Sequence, residues 1–363
     1  MDENGLADKI LFSKEAAEYL GITVQRLNKL VQEGKVMPLK KNASGTVFLI
    51  DELDKRKEEQ AIFTQMPVRG DRGMFEIDTK EKQEALNYAT LMNVLDYTEH
   101  KLEPLFEEFA KRVNVDVPIS NPKVCDEYAR FFNVETSILT EEYQNAYKAF
   151  TLLRRTDEII KRGSQDYPAL LAQTDQAPRF LYIRGKKSLL HEKRTVAVVG
   201  SREASEKAKE NTTRLVKALG KNGITVVSGL AKGIDVTAHR AALDSGYNTI
   251  SVIGTNLNQY YPRENEAVQR EIEKRGLIIS QFSPASKTQR WFFPLRNGVM
   301  SGISLATVIM EAGETSGALK QADFALKQGR QILIPATALE MKQITWPARY
   351  VQRGAHVVKT PID

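Results

Sequence analysis

Apolar positions along the chain change their spacing several times, and each change marks a different kind of element. Over residues 10–60 the period is helical and short-lived. Ser13 is placed to cap a helix with Ala16, Ala17 and Leu20 on one side. Gly21 breaks it, and Thr23 caps a second helix whose stripe is Val24, Leu27, Leu30 and Val31, ending at Gly34. In KVMPLKKNASGTVFLI two extended segments flank an Asn42–Gly45 turn, and Asp51 then caps a further helix, DELDKRKEEQ. Two short helices meeting at an apolar corner, followed by a hairpin, predict a small winged helix-turn-helix over residues 1–60.

Residues 61–80, with Gly70, Asp71, Arg72 and Gly73, keep no period and read as a linker. From Glu81 to Arg112, Leu86, Leu91, Val94, Leu95, Leu102, Leu105, Phe106 and Phe109 recur at helical spacing. Further helices are expected from Val124 to about Phe132 and from Thr140 to Lys161, the last with Tyr143, Tyr147, Phe150, Leu153 and Ile160 as its stripe. These aromatics read as core, so residues 61–159 form a linker and helical spacer.

From residue 191 short continuous apolar runs take over: Thr195–Val199, Ile224–Val227, Thr249–Ile253, Leu277–Ser280, Leu305–Met310 and Gln331–Ile334. Helical stretches lie between them, one ending at Lys221, one opened by Gly233 and Asp235, then Glu264–Arg275 and Thr315–Gln328. Such alternation predicts an α/β fold over residues 160–363, with a Rossmann-like, mostly parallel sheet covered by helices. Ligands of these sheets bind beyond the carboxyl ends of the strands. Several of those ends carry small residues that let backbone approach a ligand: Gly200-Ser201-Arg202, Ser228-Gly229, Gly254-Thr255 and Glu311-Ala312-Gly313. Neighbouring helix starts, at Gly233 and at Ser316-Gly317, offer unpaired N–H groups to phosphate. Arg202 and Lys232 add charge, with Arg296 approaching from a long loop and Asn297 beside it. The pattern is neither a P-loop nor a G-x-G-x-x-G fingerprint.

Composition narrows the classes. The 363 residues are 42% hydrophobic and 27% charged, an ordinary soluble balance. A single cysteine, Cys125, and four histidines exclude a disulfide framework and a cysteine-built zinc site, so neither metal nor cofactor is expected. The opening MDENGLADK lacks the regions of a signal peptide and no apolar run reaches membrane length, so a cytoplasmic setting without membrane contact is expected. Net charge is +6, but residues 1–150 hold 20 Lys/Arg against 27 Asp/Glu, while residues 151–363 hold 32 against 19. The basic part is the α/β part, which suits a polyanionic partner there.

The first 60 residues resemble the winged helix-turn-helix of the MerR and excisionase type, through Leu20-Gly21-Ile22-Thr23. That resemblance implies duplex DNA contact, with Gln25, Arg26 and Lys29 outward on the second helix and Lys40 and Lys41 on the wing. A protein-docking cap with solvated Arg26 and Lys29 remains the other reading.

Residues 160–358, a little over half the chain, resemble the DNA-processing protein A (DprA/Smf) family. The residues that carry this are Asp166-Tyr167-Pro168 through Leu181–Gly185, Val196–Arg202, SGLAKGIDVTAH (Ser228 to His239), Tyr261–Asn265, Phe293–Asn297, and Glu311-Ala312 with Ser316–Leu319. The resemblance implies a cytoplasmic, dimeric protein that binds single-stranded DNA, helps load a RecA-like recombinase in natural transformation, and has no established enzymatic reaction. It maps Ser201, Arg202, Lys232, Gly233 and Arg296 onto contact with the strand. Three departures stand out: Gly298 where a second arginine is expected, Pro335-Ala336 for a Pro-Gly pair, and KQITWPARYVQRG for a Gly-rich segment. They imply a lost phosphate contact and an altered rim, and with the unusual head they leave a mobile-element or phage-defence setting open.

Two other classes stay open. Asp235 and His239, four apart on one helix face, make a minimal acid–base pair that Glu264 and Glu311 are placed to join, so hydrolysis of a nucleotide is one. No PGGxGTxxE or G-x-S-x-G motif supports it, and a hydrogen-bonding pair is the plainer reading. The other is a regulator, or partner of an effector protein, whose pocket senses a small nucleotide.

Overall fold

The computed structural model describes residues 10–20, 23–32, 36–42, 45–50, 53, 75–340 and 343–360. The chain divides into two compact units, Met1–Met66 and Pro67–Asp363.

In the first unit, strand β1 (Ile10–Phe12) leads into helices α1 (Ser13–Tyr19) and α2 (Val24–Gln32), followed by β2 (Lys40–Asn42) and β3 (Gly45–Leu49). The strands form an antiparallel sheet in the order β1-β3-β2. Ala16, Ala17, Leu20, Leu27, Leu30, Val36, Phe48 and Leu53 close its core. The α1 cap differs from expectation: Phe12 holds the cap position and its N–H donates to the Glu15 carboxylate at 2.9 Å, while Ser13 is already helical and donates to the Thr46 carbonyl. Val24 is 39% exposed, so the buried stripe of α2 starts one turn later, at Leu27. The breaks at Gly21 and Gly34, the tip of the 42–45 turn, the Asp51 helix apart from Leu53, and the Gly70–Gly73 linker lie outside the described residues.

The second unit begins with α3 (Lys80–Leu95), α4 (Glu99–Ala110), α5 (Pro122–Phe132) and α6 (Thr136–Phe150). The single period expected from Glu81 to Arg112 is interrupted at Asp96, which takes a left-handed conformation (φ 50°) and starts a new helix direction. The last helix stops at Phe150 instead of Lys161. A turn closes there, with the Asp157 carboxylate accepting the Arg154 N–H at 2.8 Å, and Ile159 and Ile160 enter strand β4 (Glu158–Lys161).

Strand β5 (Phe180–Gly185) follows the short α7 (Ala169–Ala172), and then β6 (Thr195–Val199), α8 (Glu206–Lys221), β7 (Thr225–Ser228), α9 (Ile234–Asp244), β8 (Thr249–Val252), α10 (Glu266–Arg275) and β9 (Leu277–Ser280). The chain ends with α11 (Phe292–Gly302), β10 (Ala306–Ile309), α12 (Gly317–Lys327), β11 (Gln331–Pro335), α13 (Ala336–Leu339), α14 (Trp346–Gln352) and β12 (His356–Val358). The nine strands lie in the order β12-β11-β10-β6-β7-β8-β9-β5-β4, with β6 to β12 parallel and β5 antiparallel to β9. This is the Rossmann-like, mostly parallel sheet that the continuous apolar runs predict.

Both faces are covered. Ala197, Val199, Val227 and Ile250 pack against Val299 of α11, Ile303 just past its end and Leu319 of α12. On the other face Val198 and Val226 meet Val216 of α8 and Ala238 of α9. The helices expected as a spacer share one core with the sheet, Leu86, Phe106 and Phe150 joining Phe180, Tyr182 and Ile278. From β6 the chain builds outward through β7, β8 and β9, then returns to lay β10, β11 and β12 on the opposite side. The switch point lies between β6 and β10, where a sheet of this kind opens a crevice for a ligand.

Candidate functional site

A cleft of about 540 Å³ opens at that switch point. Its walls are the loop after β6 (200–203), Ala231 and Asp235 beyond β7, the first turns of α11, and residues 313–321 leading into α12. A narrower recess adjoins it, sharing Arg202, Ala231, Phe293 and Arg296 and adding Gly229, Lys232, Tyr261 and Pro262.

Interlocked loops hold this opening in shape. Ser201 donates its N–H to the Glu311 carbonyl at 2.6 Å, and Ile234 donates to the Ser201 carbonyl at 3.2 Å. Gly233 sits at φ +73°, and a Cβ there would overlap the Ser201 and Arg202 backbone, so only glycine fits. Leu230, buried, is held at φ 61°, and the Asn265 side chain ties its carbonyl at 2.9 Å. Strain of this kind persists only where surrounding structure over-determines it.

Most of the residues expected to touch phosphate gather here. Gly200, Ser201, Arg202, Arg296, Asn297, Ser316 and Gly317 line the cleft, and Gly229 and Lys232 line the recess. Gly233 shapes the loop from behind. Arg202 is exposed and forms no hydrogen bond or ion pair among the described residues. Lys232 pairs with Glu264 at 2.7 Å, both about half exposed. Ser228 is not a lining residue: it closes strand β7, is fully buried, and its hydroxyl donates to the Val198 carbonyl at 2.7 Å. Asn297 reaches the Gly317 carbonyl at 3.4 Å and so links α11 to the start of α12.

Arg296 belongs to helix α11, not to a long loop, and is 5% exposed. Its Nη1 donates to the Val252 carbonyl, while its Nε has no partner. Gly229 lies flat against the guanidinium, where any Cβ would overlap it. Burial pulls Arg296 down to about 10, against the opposing pull of Asp235, and Arg202 nearby lowers it further. It stays charged at neutral pH.

The acid–base candidates do not converge. Asp235 is buried, which pushes its carboxyl up against the pull of Arg296, and it accepts the Ala231 N–H at 3.4 Å. His239 is fully buried, its Nδ1 bonded to the Thr249 hydroxyl at 2.8 Å, and burial pushes it down to about 3, so it is neutral. The two share a helix but not a hydrogen bond. Glu311 accepts the Ser205 N–H and hydroxyl at 2.9 and 2.6 Å, fixing the start of α8, and Glu264 holds Lys232.

The departures also find their places. A Cβ at Gly298 would meet the Gln176 side chain at 2.7 Å, and Gln328 bridges Gln176 and the Gly298 carbonyl at 2.7 and 2.9 Å. That position faces an amide network, not the cleft, so no rim contact is lost by its side chain. Ala336 starts α13. In the divergent tail Trp346 is fully buried and donates to the Ala312 carbonyl at 2.7 Å, and Tyr350 donates to the Leu319 carbonyl at 2.9 Å. The tail braces the cleft wall from behind.

Among the aromatics, Tyr261 packs on Phe293 at 4.9 Å beside the recess, and Phe292 stacks on Phe282 at 3.8 Å. Trp291 is 44% exposed, whereas Tyr260 is buried against Arg154. Four polar lining residues escaped the sequence reading as site candidates, Glu203, Thr315, Lys320 and Gln321. The signal that would have found Lys320 is a lysine in the first turn of a helix, where an acid is favoured. In the first unit Gln25, Lys29 and Lys40 are exposed, and the side chains of Arg26 and Lys41 lie outside the described residues. Among the described residues no group of three or more His, Cys, Asp or Glu is placed to hold a metal, and no helix is long and apolar enough to cross a membrane.

The model of the DNA recombination-mediator protein A family matches residues 158–363. DNA processing protein DprA of Streptococcus pneumoniae is 33% identical over 264 residues, 72% of this chain and 86% of that one. DNA processing protein DprA of Bacillus subtilis is 33% identical over 204 residues, 56% of this chain and 69% of that one. Among solved structures, the S. pneumoniae protein superposes with a TM-score of 0.59 at 27% identity, covering 78% of this chain and 94% of that one. DNA processing protein A from Helicobacter pylori, in a structure concerned with its unique single-stranded DNA binding mode, gives a TM-score of 0.51 at 26% identity, covering 57% and 92%. The match to the family model coincides with the sheet and both walls of the cleft.

Proposed function

The chain belongs to the DNA recombination-mediator protein A family, and from that premise we propose that it binds single-stranded DNA by its phosphate backbone in the switch-point cleft. One observation carries this reading: Arg202, Arg296 and the start of α12 converge on a single opening, and Lys232 stands on the adjoining recess. The strand-binding mode studied in the H. pylori relative supports it. Lining by glycine and serine brings N–H groups to the phosphates without reading base edges. Asp235, His239, Glu264 and Glu311 act in this reading as structural groups, and the strand is held without turnover.

Four cations, with Lys320 counted, correspond to a salt slope of about −3 for a single strand, or an affinity loss of about fiftyfold between 50 and 200 mM salt. A salt titration with single strand, duplex and mononucleotide tests this on the whole chain and on an Arg202→Ala/Lys232→Ala double variant. Loss of strand binding in the double variant is the expected result. Unchanged binding there, with loss in a Lys29→Ala/Lys40→Ala variant, moves the site to the first unit. The cleft volume also suits a small nucleotide. Tight mononucleotide capture with weak strand binding would favour the sensing role instead.

The remaining roles extend the same proposal. A cytoplasmic homodimer would use the C-terminal part of the sheet, the first unit would touch duplex DNA, and the bound strand would pass to a RecA-like recombinase.

A further inference from the structure

Lys320 lies in the first turn of α12, is exposed, and lines the cleft opposite Arg202 and Arg296. Among the described residues it makes no ion pair. The nearby acids are engaged elsewhere: Asp323 accepts from Tyr350 and Arg353, and Glu314 accepts from Thr345 and Trp346. A cation in this turn faces the positive end of the helix dipole, where a carboxylate would be stabilising. Arg202 and Arg296 add to that repulsion, and the carboxylates lining the same cleft are Asp235 and Glu203. Without a ligand the grouping is electrostatically unfavourable.

Two further features point the same way. The Ser316 hydroxyl already accepts the Ala318 N–H, the Gly317 N–H donates to no group among the described residues, and the space where a Gly317 side chain would stand is open. Arg296, 5% exposed, lines the same cleft, and its buried Nε has no partner among the described residues. One phosphate at the Arg202 loop leaves these donors and Lys320 unmatched.

We propose that Lys320 and the Gly317 N–H form a second phosphate subsite, so that the cleft takes two consecutive phosphates of one strand. The proposal rests on the strand-binding reading and names the part of the ligand that α12 holds. Lys320 then works against the fold and for the ligand.

The test uses the full chain, with Lys320→Ala, Lys320→Glu and Lys320→Arg beside Arg202→Ala. Oligothymidylate binding is measured against salt, and thymidine 5′-monophosphate is compared with its 5′-phosphorylated dinucleotide. Lys320→Ala is expected to weaken oligothymidylate binding by about fivefold at low salt and to flatten the salt slope by about 0.7. It should also erase the dinucleotide's advantage over the monophosphate, while Lys320→Arg restores both. Thermal stability without ligand should rise slightly in Lys320→Ala and further in Lys320→Glu. Wild-type affinity, slope and dinucleotide preference in Lys320→Ala, with Arg202→Ala still defective, overturn the subsite alone. If Arg202→Ala also binds as wild type, the strand-binding reading itself fails.

Discussion

Arg184 and Arg296 are equally buried, at 4% and 5% exposure, yet their surroundings are opposite. Arg184, inside strand β5, makes a paired contact with both Asp157 oxygens at 2.7 Å, donates to the Leu257 carbonyl at 2.8 Å and faces Glu273 at 3.4 Å. Asp157 holds its guanidinium charge firmly, against the cost of burial. Among the described residues Arg296 has one carbonyl partner, no ion pair and an idle Nε, and burial pulls its pKa down to about 10. A buried arginine matched by carboxylates fastens the fold. In the strand-binding proposal, one left short of partners beside an opening is held for a ligand that brings the missing charge.

The harshest way to test that contrast is to remove the matched arginine. Arg184→Ala strips the buried Asp157 of its charged partner, leaving it the Arg154 N–H while Glu273 keeps Arg154, and breaking such a network costs about 3–5 kcal/mol of stability. Urea unfolding should show it directly, with strand affinity of the remaining folded protein near normal. Arg296→Gln should do the reverse. It removes a charge-assisted contact, so affinity for a single strand should fall roughly ten- to a hundredfold, while stability changes less than in Arg184→Ala. Equal stability losses in the two variants would erase the distinction.

Much of this division was open to a reader of the chain, and the rest was hidden for physical reasons. Strands β6 to β11 were legible because they are buried on both faces and read as continuous apolar runs. Strand β5 carries Arg184 in its middle, and β4 is four residues long, so neither gave a clear pattern. Edge strand β12, half exposed, gave less still. Gly200, Arg202, Gly233 and Ser316 were legible as small or charged residues at strand ends. The place of Arg296 was not, because its helix begins with Phe292-Phe293-Pro294 and contains Gly298, which read as loop. Ser228 fitted a loop contact by residue type, but its strand register turns it toward Val198. Lys320 reads as a solvated helix lysine until the fold lays it against the other cations.

The matched network also carries a pH signature in stability. Glu99 lies beside the Arg179, Glu84 and Glu103 cluster and accepts the Arg179 N–H, and burial pushes its carboxyl up to about 7. Between its ordinary value near 4.5 and about 7, the folded chain holds a proton that the unfolded chain has released. Its contribution to stability therefore falls as pH rises through that window and is level above it. The difference in unfolding free energy between wild type and Glu99→Gln should show that slope from pH 4.5 to 7. A flat difference would mean that the cluster pairs Glu99 as an ordinary carboxylate.

The smallest expected effect concerns His239, which stands near Arg296 but belongs with the matched groups. Its folded pKa, about 3, lies below the unfolded value near 6.5, so stability linked to it rises with pH between those limits and is complete above 6.5. At neutral pH it offers no proton to exchange. His239→Gln loses at most the Thr249 hydrogen bond, worth about 1 kcal/mol of stability. Strand affinity between pH 6 and 8 should stay within about twofold of wild type, because a neutral buried ring adds no charge to the cleft. An affinity or turnover that titrates near pH 7 and vanishes with His239→Gln would make this histidine a working acid–base group. Arg296 would then be the neighbour that tunes it, and the unmatched charge would serve chemistry as well as grip.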